Sequence, residues 1–392
     1  MLRKSLATLP RTLDQTYDRI LCAISEENSE YAMRVLQWLT FSTRPLSLKE
    51  IAEVVAIDVA RDPAFDRDEI LEDPLDALYI CSSLVTITTN NSAGSGRSDQ
   101  QIIALAHYSV QEYLVSSRIQ QGQAKQFSMQ EAECHNAIAR SSLKYLTQFQ
   151  QPLSNRALEA FALAKYAAKF WSSHLLKTGD DMEELSRLAT ELLSIGKPAY
   201  HTWIQLHNPD PRRVRSRREF KNGMAPPLYY AALLGLGIVA RMLLDKGADV
   251  NAQGRYYGNA LQAASAQGHE QVVKMLLDKG ADVNAQGGHY GNALQAASAR
   301  GHEQVVKMLL NKGADVNAQG GGYSNALQAA SAGGHEQVVK MLLDKGADVN
   351  AQGGRYDNAL QAASEGGHEQ VVKMLLDAGA YQPNEDAVAE LK

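Results

Sequence analysis

The sequence predicts a mainly α chain that ends in a helical repeat solenoid. Three observations carry that prediction. Near-identical units open at Asn259, Asn292, Asn325 and Asn358, always 33 residues apart, and a fixed period of about 20–50 residues marks a repeat array. Upstream, three helical patterns precede two β-branched runs and another helix. Between these parts, residues 128–206 are rich in Ala, Leu and Tyr with little Gly or Pro, as expected of packed helices.

In chain order, the stretch around 29–41 carries Met33, Leu36, Trp38 and Leu39 at helical spacing. Ser47 and Glu50 form a capping box, with Leu46 and Ile51 placed for a hydrophobic staple. A third helix is expected from Glu69 to Ser82. Leu84–Thr88 and Ile102–Leu105 read as two strands around NNSAGSGRSDQQ, a hairpin loop. Ser109 and Glu112 suggest a second capping box. Three helices, a two-stranded wing and a helix read as a winged-helix domain over 28–120. The stretch 61–80 holds seven acidic residues against Arg61 and Arg67. A helix meant to neutralise DNA phosphates needs the opposite charge, so nucleic acid is not the expected partner.

Residues 121–210 are expected to be a helical spacer, with one helix from Ala157 to Leu176 and another from Asp181 to Ile195. It is expected to pack against the winged helix and the first repeat. Residues 211–223 follow as a linker holding Arg212, Arg213, Arg215, Arg217 and Arg218. Such a run is either a solvated linker or a nuclear signal.

Within each unit, Ala260, Leu261, Ala263 and Ala264 begin a short helix that Gly268 breaks. Val272, Val273, Met275, Leu276 and Leu277 give the second helix its apolar side. Gly280 closes it as a left-handed cap. The unit is helix, turn, helix, long loop, and only stacking buries its apolar face. It resembles the ankyrin repeat, most closely through GHEQVVKMLLDKGADVNA. The family's T-P-L-H signature is replaced by Asn259-Ala260-Leu261-Gln262, whose amides could make the same turn bonds. Pro226-Pro227-Leu228 lies one period earlier, so residues 224–392 are expected to hold about five repeats. The run Ala225 to Ala240 falls in register with the repeats and is read as the first unit, not a membrane helix. Its Leu233, Leu234 and Leu236 make a more apolar surface than a solvent-facing cap would.

The units differ at few places. One position reads Tyr256, His289, Gly322, Arg355; a second reads Gly258, Gly291, Ser324, Asp357. A third, ending the short helix, reads Gln267, Arg300, Gly333, Gly366, with Glu365 beside the last. Loop tips and short-helix ends line the concave face of ankyrin arrays. The candidate partner-binding residues are therefore Tyr256, Gly258, Gln267, His289, Arg300, Ser324, Arg355, Asp357 and Glu365. The alternative is neutral drift at exposed sites, where a substitution shifts stability by about 0.5 kcal/mol or less. Tyr257, Tyr290, Tyr323 and Tyr356 recur at one loop position, either as a stacked row bracing the loops or as aromatic partner contacts.

TLPRTLDQTYDRIL, VLQWLTFSTRPLSLKEIAEVVAI and LAHYSVQEYL together resemble the segment that follows the nucleotide-binding core in fungal NACHT-type, NLR-like STAND proteins. A related winged helix occurs beside GPI inositol-deacylase-like hydrolases. The resemblance covers essentially the whole chain and implies that residues 1–27 are the helical tail of a NACHT core. It implies nucleotide sensing by His107 in an intact receptor; a structural histidine at a strand end is the alternative. The sequence has no G-x-x-x-x-G-K-[ST] and no G-x-S-x-G. The chain is thus expected to be a fragment or incomplete gene model, or else a stand-alone remnant.

Net charge −5 gives no global attraction to polyanions. Cys22, Cys81 and Cys134 are too dispersed for a disulfide framework or a cysteine zinc site. The N-terminus lacks a signal-peptide apolar core. Gly235-x-Gly237-x-x-Ala240 follows no strand, so it is not a dinucleotide site. His269-Glu270 lacks a second histidine, since Val273 stands there. No catalytic residue, metal ligand or cofactor is expected. The expectation is a cytoplasmic or nuclear, non-enzymatic module binding a protein ligand on the ankyrin concave face: the sensing part of an NLR-like receptor. A free-standing adaptor is the first alternative. The second is a regulatory portion of a NACHT NTPase or GPI inositol-deacylase-like hydrolase.

Overall fold

A computed structural model describes residues 12–90, 100–151, 154–179, 182–210 and 224–381. The basic run 212–221, most of the wing loop and the first eleven residues of the expected NACHT tail lie outside these. The chain forms two compact units, 1–207 and 208–392.

The first unit begins with α1, Leu13–Cys22, capped by Thr12, which accepts from Gln15 N at 3.2 Å. Helix α2, Glu26–Phe41, buries Val35, Leu36 and Trp38. Strand β1, Leu46–Ser47, leads into α3, Leu48–Val55. The Ser47–Glu50 capping box forms: Glu50 N donates to Ser47 Oγ at 3.3 Å and Ser47 N to Glu50 Oε2 at 2.8 Å. Strands β2, Val85–Asn90, and β3, Gln100–Leu105, pair antiparallel, with Ile87 opposite Ile103. Strand β1 adds to β3, giving the order β1-β3-β2. Buried Leu46, Ile51, Val54, Leu84 and Ile103 join sheet and helices in one core.

Two expectations here need correction. The helix expected from Glu69 to Ser82 is a 3-10 turn, Arg67–Glu69, and a short α4, Asp76–Cys81. Asp66 Oδ1 accepts from Asp68 N at 3.0 Å and Asp73 Oδ1 from Leu75 N at 2.9 Å. Those carboxylates compete with helix for the backbone, and Pro74 disfavours helix at Asp73. Helix α5, Tyr108–Leu114, is capped by His107, not Ser109. Ser109 Oγ is instead 2.6 Å from Tyr17 Oη and 2.7 Å from His107 Nδ1. After α6, Ser117–Gln121, the spacer starts with α7, Glu131–Thr147.

The helix expected over Ala157 to Leu176 is two: α8, Asn155–Leu158, and α9, Ala164–Leu175. The reason lies in α3. The buried Glu53 carboxylate accepts from Ala162 N at 2.8 Å and Leu163 N at 3.0 Å, satisfying donors at the start of α9. Tyr145 Oη also donates to it. Tyr166 Oη accepts from Thr43 N at 3.0 Å, so the spacer does pack on the winged helix. Helix α10, Met182–Leu192, matches the second expected spacer helix, and α11, Pro198–Leu206, completes the unit. Trp203 Nε1 donates to Ala168 O at 2.9 Å. His174 Nδ1 lies 2.8 Å from His135 Nδ1 and its Nε2 2.9 Å from Tyr166 Oη. Burial, then His135 and Lys177, lower the His174 pKa to about 3.

The described residues of the second unit form five helix pairs. They are α12/α13 (Pro227–Leu233, Gly237–Asp245), α14/α15 (Ala260–Gln267, Glu270–Asp278), α16/α17 (Ala293–Arg300, Glu303–Asn311), α18/α19 (Ala326–Ala332, Glu336–Asp344) and α20/α21 (Ala359–Glu365, Glu369–Asp377). The uncharged run from Ala225 is thus the first pair, and the dinucleotide-like glycines are its turn. Leu233 and Leu236 are buried. Gly268 and Gly280 take left-handed φ of 74° and 87° and close their helices as expected. Among the described residues, no helix is long and apolar enough to cross a membrane.

Candidate recognition face of the repeat array

The face is built on ladders that repeat every 33 residues. The amides replacing the usual turn residues cap every short helix from Asn259 on, and at Asn259–Gln262 and Asn292–Gln295 they form full capping boxes. Asn259 N donates to Gln262 Oε1 at 2.7 Å, and Gln262 N donates to Asn259 Oδ1 at 2.9 Å. Gln262 Nε2 then reaches the next unit's loop, donating to Ala285 O, Gly287 O and Gly291 O at 3.1–3.2 Å. An amide thus caps its own helix and ties the neighbouring loop. A second ladder uses loop asparagines: Asn284 Nδ2 donates to Gly313 O at 3.1 Å and Asn284 Oδ1 accepts from Asp315 N at 2.8 Å. The third uses the histidines before each outer helix. His269, His302, His335 and His368 each place Nε2 within 3.1–3.3 Å of a carbonyl in the preceding unit. Burial is the largest cause lowering the His269 and His302 pKa values.

On this frame the loop tyrosines form the stacked row. Successive ring centroids of Tyr257, Tyr290, Tyr323 and Tyr356 are 6.1, 6.3 and 6.2 Å apart, with interplanar angles of 11°, 9° and 20°, within the range of favourable aromatic pairs. Gly288, at φ 66°, permits this: a Cβ there would run into the Tyr257 backbone.

The variable side chains gather along the row. Gln267 Nε2 donates to Tyr257 Oη at 3.0 Å and Arg300 Nε to Tyr290 Oη at 3.1 Å. Tyr256 and His289 stack at 4.8 Å. Arg355 lies 5.3 Å from the Tyr356 ring centroid. Glu365 accepts from Gln361 Nε2 at 3.3 Å. Gln267, His289, Arg300, Arg355, Asp357 and Glu365 are exposed. Gly258 and Ser324 differ. Their shared position requires positive φ, 102° at Gly258, 73° at Ser324 and 61° at Asp357. Gly258 is buried and Ser324 turns inward to Gln319 Oε1 at 2.5 Å. Backbone conformation is what that position controls.

His107 is far from this chemistry in sequence and sits at the start of α5. It is exposed, and its Nδ1 accepts from Ser109 N at 3.2 Å.

Residues 17–130 match a family model described as the winged-helix domain of GPI inositol-deacylase. Residues 202–287, 228–320 and 294–386 match one described as ankyrin repeats. The chain is 40% identical over 284 residues to a Monascus ruber protein named azaphilone pigments biosynthesis cluster protein L. That alignment covers 68% of this chain and 59% of the relative, so the chain spans less than two thirds of the relative's length.

Proposed function

Because the chain joins a winged helix of the GPI inositol-deacylase type to ankyrin repeats, we propose that it is a non-enzymatic module that recognises a protein ligand with the exposed edge of its tyrosine row. One observation carries this reading: where otherwise identical units differ, Tyr256, Gln267, His289, Arg300 and Arg355 all touch that row. Drift at random exposed sites has no reason to favour one edge. In this reading the array is the ligand-sensing part of an NLR-like, NACHT-type cytoplasmic receptor, with His107 its nucleotide-sensing residue.

The adaptor reading rests on the Monascus ruber relative, whose name places it in a pigment biosynthesis cluster. An adaptor serving enzymes of such a cluster needs the same face and no nucleotide.

The test is capture of protein ligands from the native host on the full chain, repeated with Tyr256, His289, Arg300, Arg355 and Asp357 exchanged together. Loss of the captured ligand supports the assignment; unchanged capture removes it. Measurable ATP hydrolysis by the purified chain would overturn the non-enzymatic reading. Upstream coding sequence carrying a P-loop would favour the receptor over the adaptor.

A further inference from the structure

The tyrosine row is not covered evenly. Tyr257 and Tyr290 are 3% and 6% exposed, under Gln267 and Arg300. The next two units have Gly333 and Gly366 at that helix-end position, and Tyr323 and Tyr356 are only half-buried. Among the described residues, nothing bonds the hydroxyls of Tyr323 and Tyr356. Burial raises the Tyr323 pKa, so at neutral pH its hydroxyl is a donor; neighbouring Tyr290 and Tyr356 add to this, and Arg355 and Arg300 oppose it. Arg300 bonds Tyr290 and Arg355 lies over Tyr356, the two rings stacked on either side of Tyr323. Arg300 spends only Nε on Tyr290, and Arg355 faces a ring. Among the described residues, neither has a carboxylate partner.

Two phenol donors and two guanidinium groups without a carboxylate thus open to solvent along one edge, a set that suits an anionic acceptor. Charge-assisted bonds of this kind are the strong ones. Resting on the recognition reading above, we propose that the surface at the open edges of Tyr323 and Tyr356 receives an Asp or Glu side chain of a partner polypeptide. Tyr323 and Tyr356 donate to its carboxylate, and Arg300 and Arg355 neutralise it. The chain's own net charge of −5 disfavours a long polyanion such as nucleic acid, and Asp357 and Glu365, the chain neighbours of Tyr356 and Gly366, limit the site to a short acidic stretch.

The test selects random dodecapeptides displayed on phage against the full chain, then titrates the enriched peptides by fluorescence polarisation. Enriched peptides are expected to carry Asp or Glu. Tyr323→Phe with Tyr356→Phe should weaken them about tenfold or more, as should Gly333→Gln with Gly366→Gln, which places a side chain where Gln267 stands once the His335 and His368 rings give way. The phenylalanine pair keeps both rings and carries the test if the glutamine pair fails to fold. Peptides without carboxylates, or affinities unchanged in both pairs, overturn the inference, as does displacement by single-stranded oligonucleotide at lower concentration than by acidic peptide. Loss of binding in Tyr256→Ala with His289→Ala, but in neither pair above, overturns this carboxylate site and leaves the recognition face standing. No binder at all, or no loss in any variant, overturns both.

Discussion

The hydroxyl of Tyr145 in α7 donates to the carboxylate of Glu53 in α3 at 2.6 Å. Glu53 is 4% exposed, and the same carboxylate accepts the backbone N–H groups of Ala162 and Leu163. One side chain of the winged helix thus decides where a spacer helix begins.

Replacing Glu53 should therefore destabilise the first unit beyond a typical surface change. Glu53→Ala leaves a buried and a half-buried N–H donor and a buried hydroxyl unmatched, a cost of about 3–5 kcal/mol. Tyr145→Phe removes one donor to a charged acceptor and should cost about 1.5–3 kcal/mol. Trp38, Trp171 and Trp203 all lie before residue 208, so tryptophan fluorescence during urea unfolding reports this unit alone. An unchanged midpoint in Glu53→Ala would remove the capping role.

Gln295 should matter more than its polarity suggests. It is buried, accepts from Asn292 N at 3.1 Å and donates to Ala318 O and Ser324 O at 3.0 and 2.8 Å. Gln295→Ala should cost about 2–3 kcal/mol, more than a cap residue alone at about 1 kcal/mol, because carbonyls of the next unit lose their donor too. Circular dichroism melts of the full chain against Asn292→Ala separate the two contributions.

Asn284→Ala should cost less, about 1–2 kcal/mol, since its two inter-repeat bonds are solvent-exposed. The readout is hydrogen exchange at Asp315, whose N–H loses its acceptor. Protection there unchanged from the parent chain would contradict the ladder.

Acid should weaken both units through their histidines. Folding depresses the pKa of His174 to about 3 and lowers those of His269 and His302. The unfolded chain therefore binds protons first. Their stabilisation is intact above the unfolded value of about 6.5, erodes as pH falls, and for His174 is fully lost only below about pH 3. The urea midpoint of the first unit by tryptophan fluorescence should fall between about pH 7.5 and about pH 5, with a shallower slope in His174→Gln. An equal slope would clear His174.

Much of the repeat unit was legible because its causes are local. The positive-φ glycines, the Asn259–Gln262 box and the Ser47–Glu50 box depend on residues within four positions of each other. The tyrosine row was legible as one of two readings, since a fixed loop position in stacked units must fall in line. Less legible were contacts spanning tens of residues. Ser109 looked like a cap until Tyr17, 92 residues away, took its hydroxyl. Gly258 and Ser324 looked like variable recognition residues until their φ showed a backbone constraint. The uneven cover of the row had a signal, Gln267 and Arg300 against Gly333 and Gly366, but its meaning needed the hydrogen bonds to Tyr257 and Tyr290.

By itself, then, the sequence determined the mainly α class, the winged-helix order, the 33-residue array and the residues by which units differ, because periodicity and capping act over a few residues. Tertiary structure decided where the spacer helix breaks, which residue caps α5 and which tyrosines stay open. Each of those outcomes is a competition for one buried donor or acceptor between partners far apart in the chain, and only the packed arrangement says which partner arrives.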